Sequence, residues 1–372
     1  MNDFLLEDLY AYRSMKMKYL LVTLLLPAFL WLEAQPQGQD LSKLIDSLKT
    51  VYLADSTHHG LGFGIKTPDQ DYTYYFGGKY SAREEDTGAS TLFEIGSISK
   101  LFTAHILAKL EEDNQISRFD LLAKYLKKRS FVGSEKITLA NLATHTSGLP
   151  AFDNTASLTE LEGYDENDPY GLFTYDLMLD LLEETDSISS YGKVKYSNFG
   201  IGVLTYAMEL AAGESFDNLF ARYIKEQMGL PNTHLILPER FITNMAIPHR
   251  NGEVMPLINL ADMRPAGGIK TTVPDMVKFM DYYLNPADED LPLVESVLTN
   301  QLNGEEQIGL GWGIFKRNNV ILNFHTGGTY GSSGILIIAP QLRTGLIILA
   351  NDQTDQLIQF AFSIIDFLHS SS

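Results

Sequence analysis

Ser97-Ile98-Ser99-Lys100 places a hydroxyl and an amine three positions apart, a spacing that puts both on one face of a helix. The run F-E-I-G-S-I-S-K-L-F-T-A-H-I-L-A-K-L around it predicts a helix. Phe93 and Ile95 lead into Gly96, and Leu101, His105, Ile106, Ala108 and Leu110 keep helical spacing. Ser97 therefore falls near a helix N-terminus, where unpaired N–H groups and the macrodipole favour negative charge. A serine hydroxyl attacks poorly until a base takes its proton, and a neutral lysine amine one turn on can do so. Two observations compete with this reading. Ser190-Tyr191-Gly192-Lys193 has the same spacing but contains Gly192 and lacks an apolar helical stripe. A serine before a helix is also commonly a plain cap.

A serine nucleophile needs a second proton-handling group, a substrate-orienting polar group and backbone donors for the oxyanion. Tyr196-Ser197-Asn198 opens a predicted helix after the Tyr191-Gly192 turn, placing a phenol and an amide in one turn. His325-Thr326-Gly327-Gly328 ends a predicted strand, bringing an imidazole, a hydroxyl and exposed N–H groups to a cleft edge. Each element has a double: Tyr283-Leu284-Asn285 is a helix end before proline, and His145-Thr146-Ser147-Gly148 reads as a helix-to-turn junction. Singly, a tyrosine or strand-end histidine is usually structural. The joint occurrence, in order and each in suitable local structure, is what points to catalysis.

Positioning these groups requires strands and helices that the periodicity supplies. Leu41–Leu53 reads as an amphipathic helix, followed by strands at Gly62–Lys66 and Tyr72–Gly78. Helices are predicted at Thr138–Thr144, Thr174–Glu184, Tyr196–Ala212 and Phe216–Met228. Thr272-Val273-Pro274-Asp275 starts another, which runs to Tyr283. Period two returns at Gly309–Phe315, Val320–His325, Gly334–Ala339 and Thr344–Leu349, and Gln356–Leu368 closes the chain as a helix. The expected fold class is α+β. Strands from both termini form one mixed antiparallel sheet flanked by helices, and a mostly helical lobe at about 115–265 fills the middle. No internal repeat or linker divides residues 35–372, and the cleft between lobes is the expected site.

The chain has 372 residues, 45% hydrophobic and 20% charged, enough for a sizeable core. Its 28 basic and 47 acidic residues give a formal charge of −19, which repels nucleic acid, and no basic stripe offsets it. Without cysteine, thiolate catalysis, disulfides and zinc ribbons are excluded, and the eight histidines form no H-E-x-x-H or other tight ligand spacing. No metal or organic cofactor is expected, and His58-His59 reads as a loop pair. Arg13, Lys16 and Lys18 precede the apolar run Tyr19–Leu32, which Pro27 interrupts and which is short for a membrane span. Residues 1–34 are therefore expected to be a signal peptide cleaved after Ala34, with Met15 or Met17 as alternative starts. An uncleaved anchor is the competing reading, and only through it would the protein meet a membrane. Either way the body is expected outside the cytoplasm, periplasmic or extracellular.

S-x-x-K, Y-x-N and H-T-G in this order resemble the serine β-lactamase and penicillin-binding protein superfamily. The closer resemblance is to the branch of class C β-lactamases, D-alanyl-D-alanine carboxypeptidases and related esterases. It covers nearly all of the mature chain and includes T-H-T-S-G-L-P at Thr144–Pro150, P-A-G-G-I-K-T-T at Pro265–Thr272 and G-L-G-W-G at Gly309–Gly313. The G-x-S-x-G of α/β-hydrolases is absent.

The resemblance implies a β-lactamase/transpeptidase-like fold and an acyl-enzyme on Ser97. Lys100 and Tyr196 would handle protons, in roles the sequence leaves open. The N–H groups of Ser97 and Gly328 would hold the oxyanion, with Gly327 beside them. Asn198 and Thr326 would bind the substrate, and His325 stands where class C β-lactamases have lysine. Expected substrates are small molecules or peptides: D-amino-acid peptides, β-lactams or small esters. Gly328 stands where carboxylate-recognising relatives often carry a hydroxyl, so poor β-lactam turnover is expected. A cationic His325 is expected to attract acidic substrates and to lose them as pH rises. The alternative is a non-turnover penicillin-binding or ligand-sensing protein on the same scaffold.

Overall fold

Leu41, Ile45 and Tyr52 bury one stripe of helix α1 (Leu41–Leu53) against a sheet in the computed structural model, which describes residues 41–80, 83–127, 129–151, 158–166, 168–302 and 306–370. The expected signal segment lies outside the described residues. After α1 come β1 (Gly60–Lys66), β2 (Asp71–Tyr80), β3 (Arg83–Asp86) and the two-residue β4 (Phe93–Glu94). A 3₁₀ turn at Gly96–Ile98 then enters α2 (Ser99–Glu112). The middle holds α3 (Leu139–Ala143), α4 (Tyr175–Glu184), α5 (Asn198–Ala212) and α6 (Phe216–Phe220). Short ladders β5 (His249–Arg250), β6 (Glu253–Val254) and β7 (Lys270–Thr271) follow, then α7 (Val273–Leu284) and α8 (Leu291–Leu298). The chain closes through β8 (Gly313–Arg317), β9 (Val320–Gly328), β10 (Ser333–Ala339), β11 (Thr344–Ala350) and α9 (Gln356–Ser370).

The main sheet has the order β3-β2-β1-β11-β10-β9-β8, with antiparallel neighbours throughout. The α+β class and the joining of both termini in one sheet are therefore as the periodicity predicts. Alternation divides its side chains between two cores. Leu61, Phe63, Ile65, Ile335, Ile337, Leu346 and Ile348 pack with α1 and α9. Leu336, Ile338, Ile347 and Leu349 pack with α7 and the helical lobe. Gly62 and Gly64 lie under α7: a Cβ would sit 2.8 Å from Val273 Cγ2 at the first and 2.6 Å from Val277 Cγ2 at the second. Bare backbone there lets the helix seat directly on the strand.

Helix starts follow capping chemistry. Thr138, Thr174, Ser197, Ser215 and Thr272 each accept a backbone N–H from the first turn of the helix they precede. Phe216–Met228 divides into α6 and a π-helical stretch, Ala221–Gln227. The strand predicted at Gly309–Phe315 begins only at Gly313. Gly309–Trp312 instead turns, with Gly311 at φ +72° and Gly309 N donating to Trp312 O at 2.7 Å. A Cβ on Gly311 would lie 3.2 Å from Lys100 O, so this turn braces α2 from below. β9 runs past His325 to Gly328, while β8 pairs with it only as far as Phe324. His325–Gly328 thus keeps β10 on one edge and offers the other edge to a ligand.

Candidate active site

Three separate stretches converge where the 3₁₀ turn, α5 and β9 meet. Ser97 lies in the turn and Lys100 in the first turn of α2, so helical geometry brings Nζ to 3.1 Å from Ser97 Oγ. Tyr196 precedes the cap residue Ser197, and its hydroxyl hydrogen-bonds Ser97 Oγ. Lys100 also donates to Asn198 Oδ1 at 2.8 Å and to Ala266 O at 2.6 Å, and stands over the Tyr196 ring 4.6 Å from its centroid. Burial pushes the Lys100 amine well below the ordinary lysine range. A neutral amine has two N–H donors and one lone pair. The donors suit Asn198 and Ala266, leaving the lone pair for the Ser97 hydroxyl.

The oxyanion side is built from backbone. A Cβ on Gly96 would lie 2.5 Å from Gly328 N, and one on Gly327 only 1.9 Å from Ile95 O. The serine turn and β9 therefore approach closely because neither carries a side chain there. Ser97 and Gly328 therefore line the same cleft side by side. Thr326 faces the same cleft, which has a volume of about 460 Å³. Its walls include Val194, Tyr170, Tyr330, Ile258 and Leu260, with the two tyrosine rings stacked at 6.4 Å.

His325 departs from the cationic expectation. Burial, aided by the Lys100 charge whenever that amine is protonated, pushes its pKa down to about 4. Its Nδ1 lies 2.6 Å from Thr326 O, the partner of a neutral N–H donor. The imidazole is therefore uncharged at neutral pH and supplies polarity without charge.

His145 is the residue that motif reading undervalued. It does end α3, at φ +58°, but its ring packs 4.5 Å from the Tyr196 ring and lines the cleft. Its carbonyl accepts Lys195 N at 2.8 Å, and its Nδ1 accepts Ser197 N at 3.3 Å. Ser197 Oγ donates to Pro150 O at 2.7 Å. The His145–Pro150 loop is thus the brace that presents Tyr196, and the similarity of H-T-S-G to H-T-G-G was the available signal.

Buried Glu94 ties the cleft walls together. It accepts Ile258 N and the Thr329 hydroxyl, both at 2.7 Å, and lies 3.8 Å from Lys270 Nζ. Burial raises its pKa, against the pull of Lys270. Its partner Lys270 belongs to the P-A-G-G-I-K-T-T stretch, which the sequence marks only as a resemblance. The decoys fall elsewhere: Ser190 and Lys193 lie in an exposed turn, and Tyr283 is buried beside His105 and Trp312.

The comparisons agree with this arrangement. The family model described as Beta-lactamase matches residues 55–360. A β-lactamase of Lysobacter lactamgenus is 25% identical over 352 residues, covering 82% of this chain and 86% of its own. One of Pseudomonas fluorescens is 24% identical, with 74% and 75% covered. The D-alanyl-D-alanine-carboxypeptidase/endopeptidase AmpH of Escherichia coli K12 is 26% identical, with 70% of each chain covered. With a match spanning the sheet, the helical lobe and the cleft between them, the chain belongs to the Beta-lactamase family and is a serine hydrolase of that kind.

Proposed function

We propose that this protein is an exported hydrolase that forms an acyl-enzyme on Ser97 from D-amino-acid peptides, β-lactams or small esters. One observation carries the proposal: Ser97 Oγ lies within hydrogen-bond reach of both Lys100 Nζ and the Tyr196 hydroxyl. Neutral Lys100 takes the Ser97 proton as Oγ bonds to the substrate carbonyl carbon, and the oxyanion forms against the Ser97 and Gly328 amides. Tyr196 donates its proton to the departing amine or alkoxide and is reprotonated through Lys100, which returns both groups to their starting state. Water then adds to the acyl carbon and Ser97 leaves with a proton. Asn198, fixed by Lys100, and Thr326 orient the substrate.

Substrates without a carboxylate fit best. Among the described residues lining the cleft there is no lysine or arginine, and Asp355 is acidic. Gly328 has no hydroxyl, and the hydroxyl of Thr329 is engaged by Glu94. Small neutral esters and amides are thus favoured over β-lactams. Export rests on the charged and apolar run within residues 1–34.

Intact-mass spectrometry tests this after incubation with a fluorescent penicillin and, separately, an activated ester. The expected result is a transient adduct on Ser97 that decays faster with the ester. A lasting stoichiometric adduct with neither compound turned over would support the binding protein instead. No adduct on Ser97 from either compound would overturn the acyl-enzyme.

A further inference from the structure

Behind the cleft, the fold assembles a group that the sequence scatters. His59 precedes β1, His249 lies in β5 and Asp352 follows β11, yet they offer ligand atoms all within 4.8 Å of one another. His249 is 0% exposed, and its Nε2 is buried without a hydrogen-bond partner. Buried polar groups in folded proteins are almost always partnered, so this nitrogen is an anomaly with a direction. His249 shares its cluster with the Asp352 carboxylate, whose Oδ1 lies 2.6 Å from His59 Nδ1. The two imidazoles stack at 3.8 Å.

The donors are held rigidly. His249 N donates to Asn351 O and to Gly331 O, and Gln353 N donates to His249 O. His59 O accepts Gly78 N at 3.0 Å, and the Tyr52 hydroxyl holds Asp352 Oδ2 at 2.6 Å. A carboxylate fixed by a second hydrogen bond is the usual support of a metal ligand. The His59 side chain is 12% exposed and that of Asp352 2%, which leaves an approach from the His59 side.

We propose that His59, His249 and Asp352 bind a divalent transition metal, with zinc as the best match to two imidazoles and one carboxylate. Each histidine gives one ring nitrogen and Asp352 one oxygen, and water from the His59 side completes a tetrahedron. The imidazoles tilt out of their stack to bring each donor to about 2.0–2.2 Å from the ion. The ion takes the place of the His59–Asp352 hydrogen bond, and His59 binds it as a neutral imidazole whose N–H lies on the other ring nitrogen. This centre clamps the start of β1 and the end of β11 to β5. It also borders the cleft, because Asp352 leads into Gln353–Asp355 of its rim and Gly331 closes the β9–β10 hairpin.

The test uses the untagged full chain, loaded with zinc, dialysed into metal-free buffer and analysed by plasma mass spectrometry. Cobalt substitution reports geometry by visible absorption. Expected are about one zinc per chain and a tetrahedral cobalt spectrum. His249→Ala and His59→Ala are each expected to weaken binding by at least about tenfold, while Ser97→Ala binds normally. His59→Ala, at the most exposed of the three positions, keeps the test valid if His249→Ala fails to fold. Retention of well under one equivalent by the unaltered chain, or zinc unchanged in folded His59→Ala, would overturn the site.

Discussion

Ser97-x-x-Lys100 and Ser190-x-x-Lys193 share one spelling and differ in everything that gives it chemistry. The first pair sits on a helical turn with its lysine 1% exposed, and the amine reaches the hydroxyl. The second lies on a turn where Gly192 takes φ +80° and Lys193 is exposed. Loss of solvent makes the Lys100 amine basic in function as well as in name, and nothing comparable surrounds the exposed Lys193. Spacing nominates a pair, and backbone conformation together with burial decides it.

The sharpest way to break this contrast is to remove each hydroxyl. Ser97→Ala is expected to lower ester hydrolysis by about 10⁴-fold or more, and Ser190→Ala to leave it unchanged within assay error. Equal activities in the two variants would erase the distinction. The lysines come next. Lys100→Met is expected to cost about 10²–10⁴-fold in kcat/KM, and Lys193→Met close to nothing. Stability should move the other way. The folded pKa of Lys100 is depressed, so between that value and the ordinary lysine pKa the unfolded chain holds one more proton than the folded chain. Wild-type stability therefore rises with pH across that window, and Lys100→Met should lose this slope while melting no lower. A retained slope, read from melting temperature against pH, would mean that Lys100 is charged in the fold.

What was legible follows the same division. Elements with strong periodicity read out well: α1 spans Leu41–Leu53 as spelled, and β10 and β11 differ from expectation by one residue at an end. The ladders β4–β7 and β5–β6 are two residues long, too short for any period to register, yet β4 delivers Glu94 and β5 delivers His249. The glycines of Gly309–Trp312 masked a turn as a strand, because Gly311 uses a conformation that the apolar pattern does not record. In the site, Ser97, Lys100 and Tyr196 were legible from spacing. The roles of His145 and Glu94 were not, since each acts through contacts with distant segments. The charge of His325 was misjudged for a related reason: burial is a property of the fold.

The tyrosine doubles give a finer cut. Tyr196→Phe removes the hydroxyl that hydrogen-bonds Ser97 Oγ and is expected to lower kcat by about 10²–10³-fold with little change in melting. Tyr283→Phe removes a hydroxyl 3.1 Å from His105 Nδ1 in the core. It should cost about 1 kcal/mol of stability and leave the rate alone. Urea melts beside initial rates distinguish the two, and a reversal of the pattern would move the proton-handling phenol away from the cleft.

The histidine doubles predict the smallest effect, and it is a null one with content. His145 and His325 both line the cleft, and burial lowers both pKa values, that of His325 to about 4. A group with a depressed folded pKa gains its proton only below that value, so neither ring changes charge on going from roughly pH 6 to 8. Affinity of the Ser97→Ala variant for an acidic ligand, measured by calorimetry over that range, should vary by less than about twofold. A tenfold loss with rising pH would show that one ring is cationic in the folded protein. His325→Asn would then say which: loss of the pH dependence assigns the charge to the β9 histidine, and its persistence assigns it to the one beneath Tyr196.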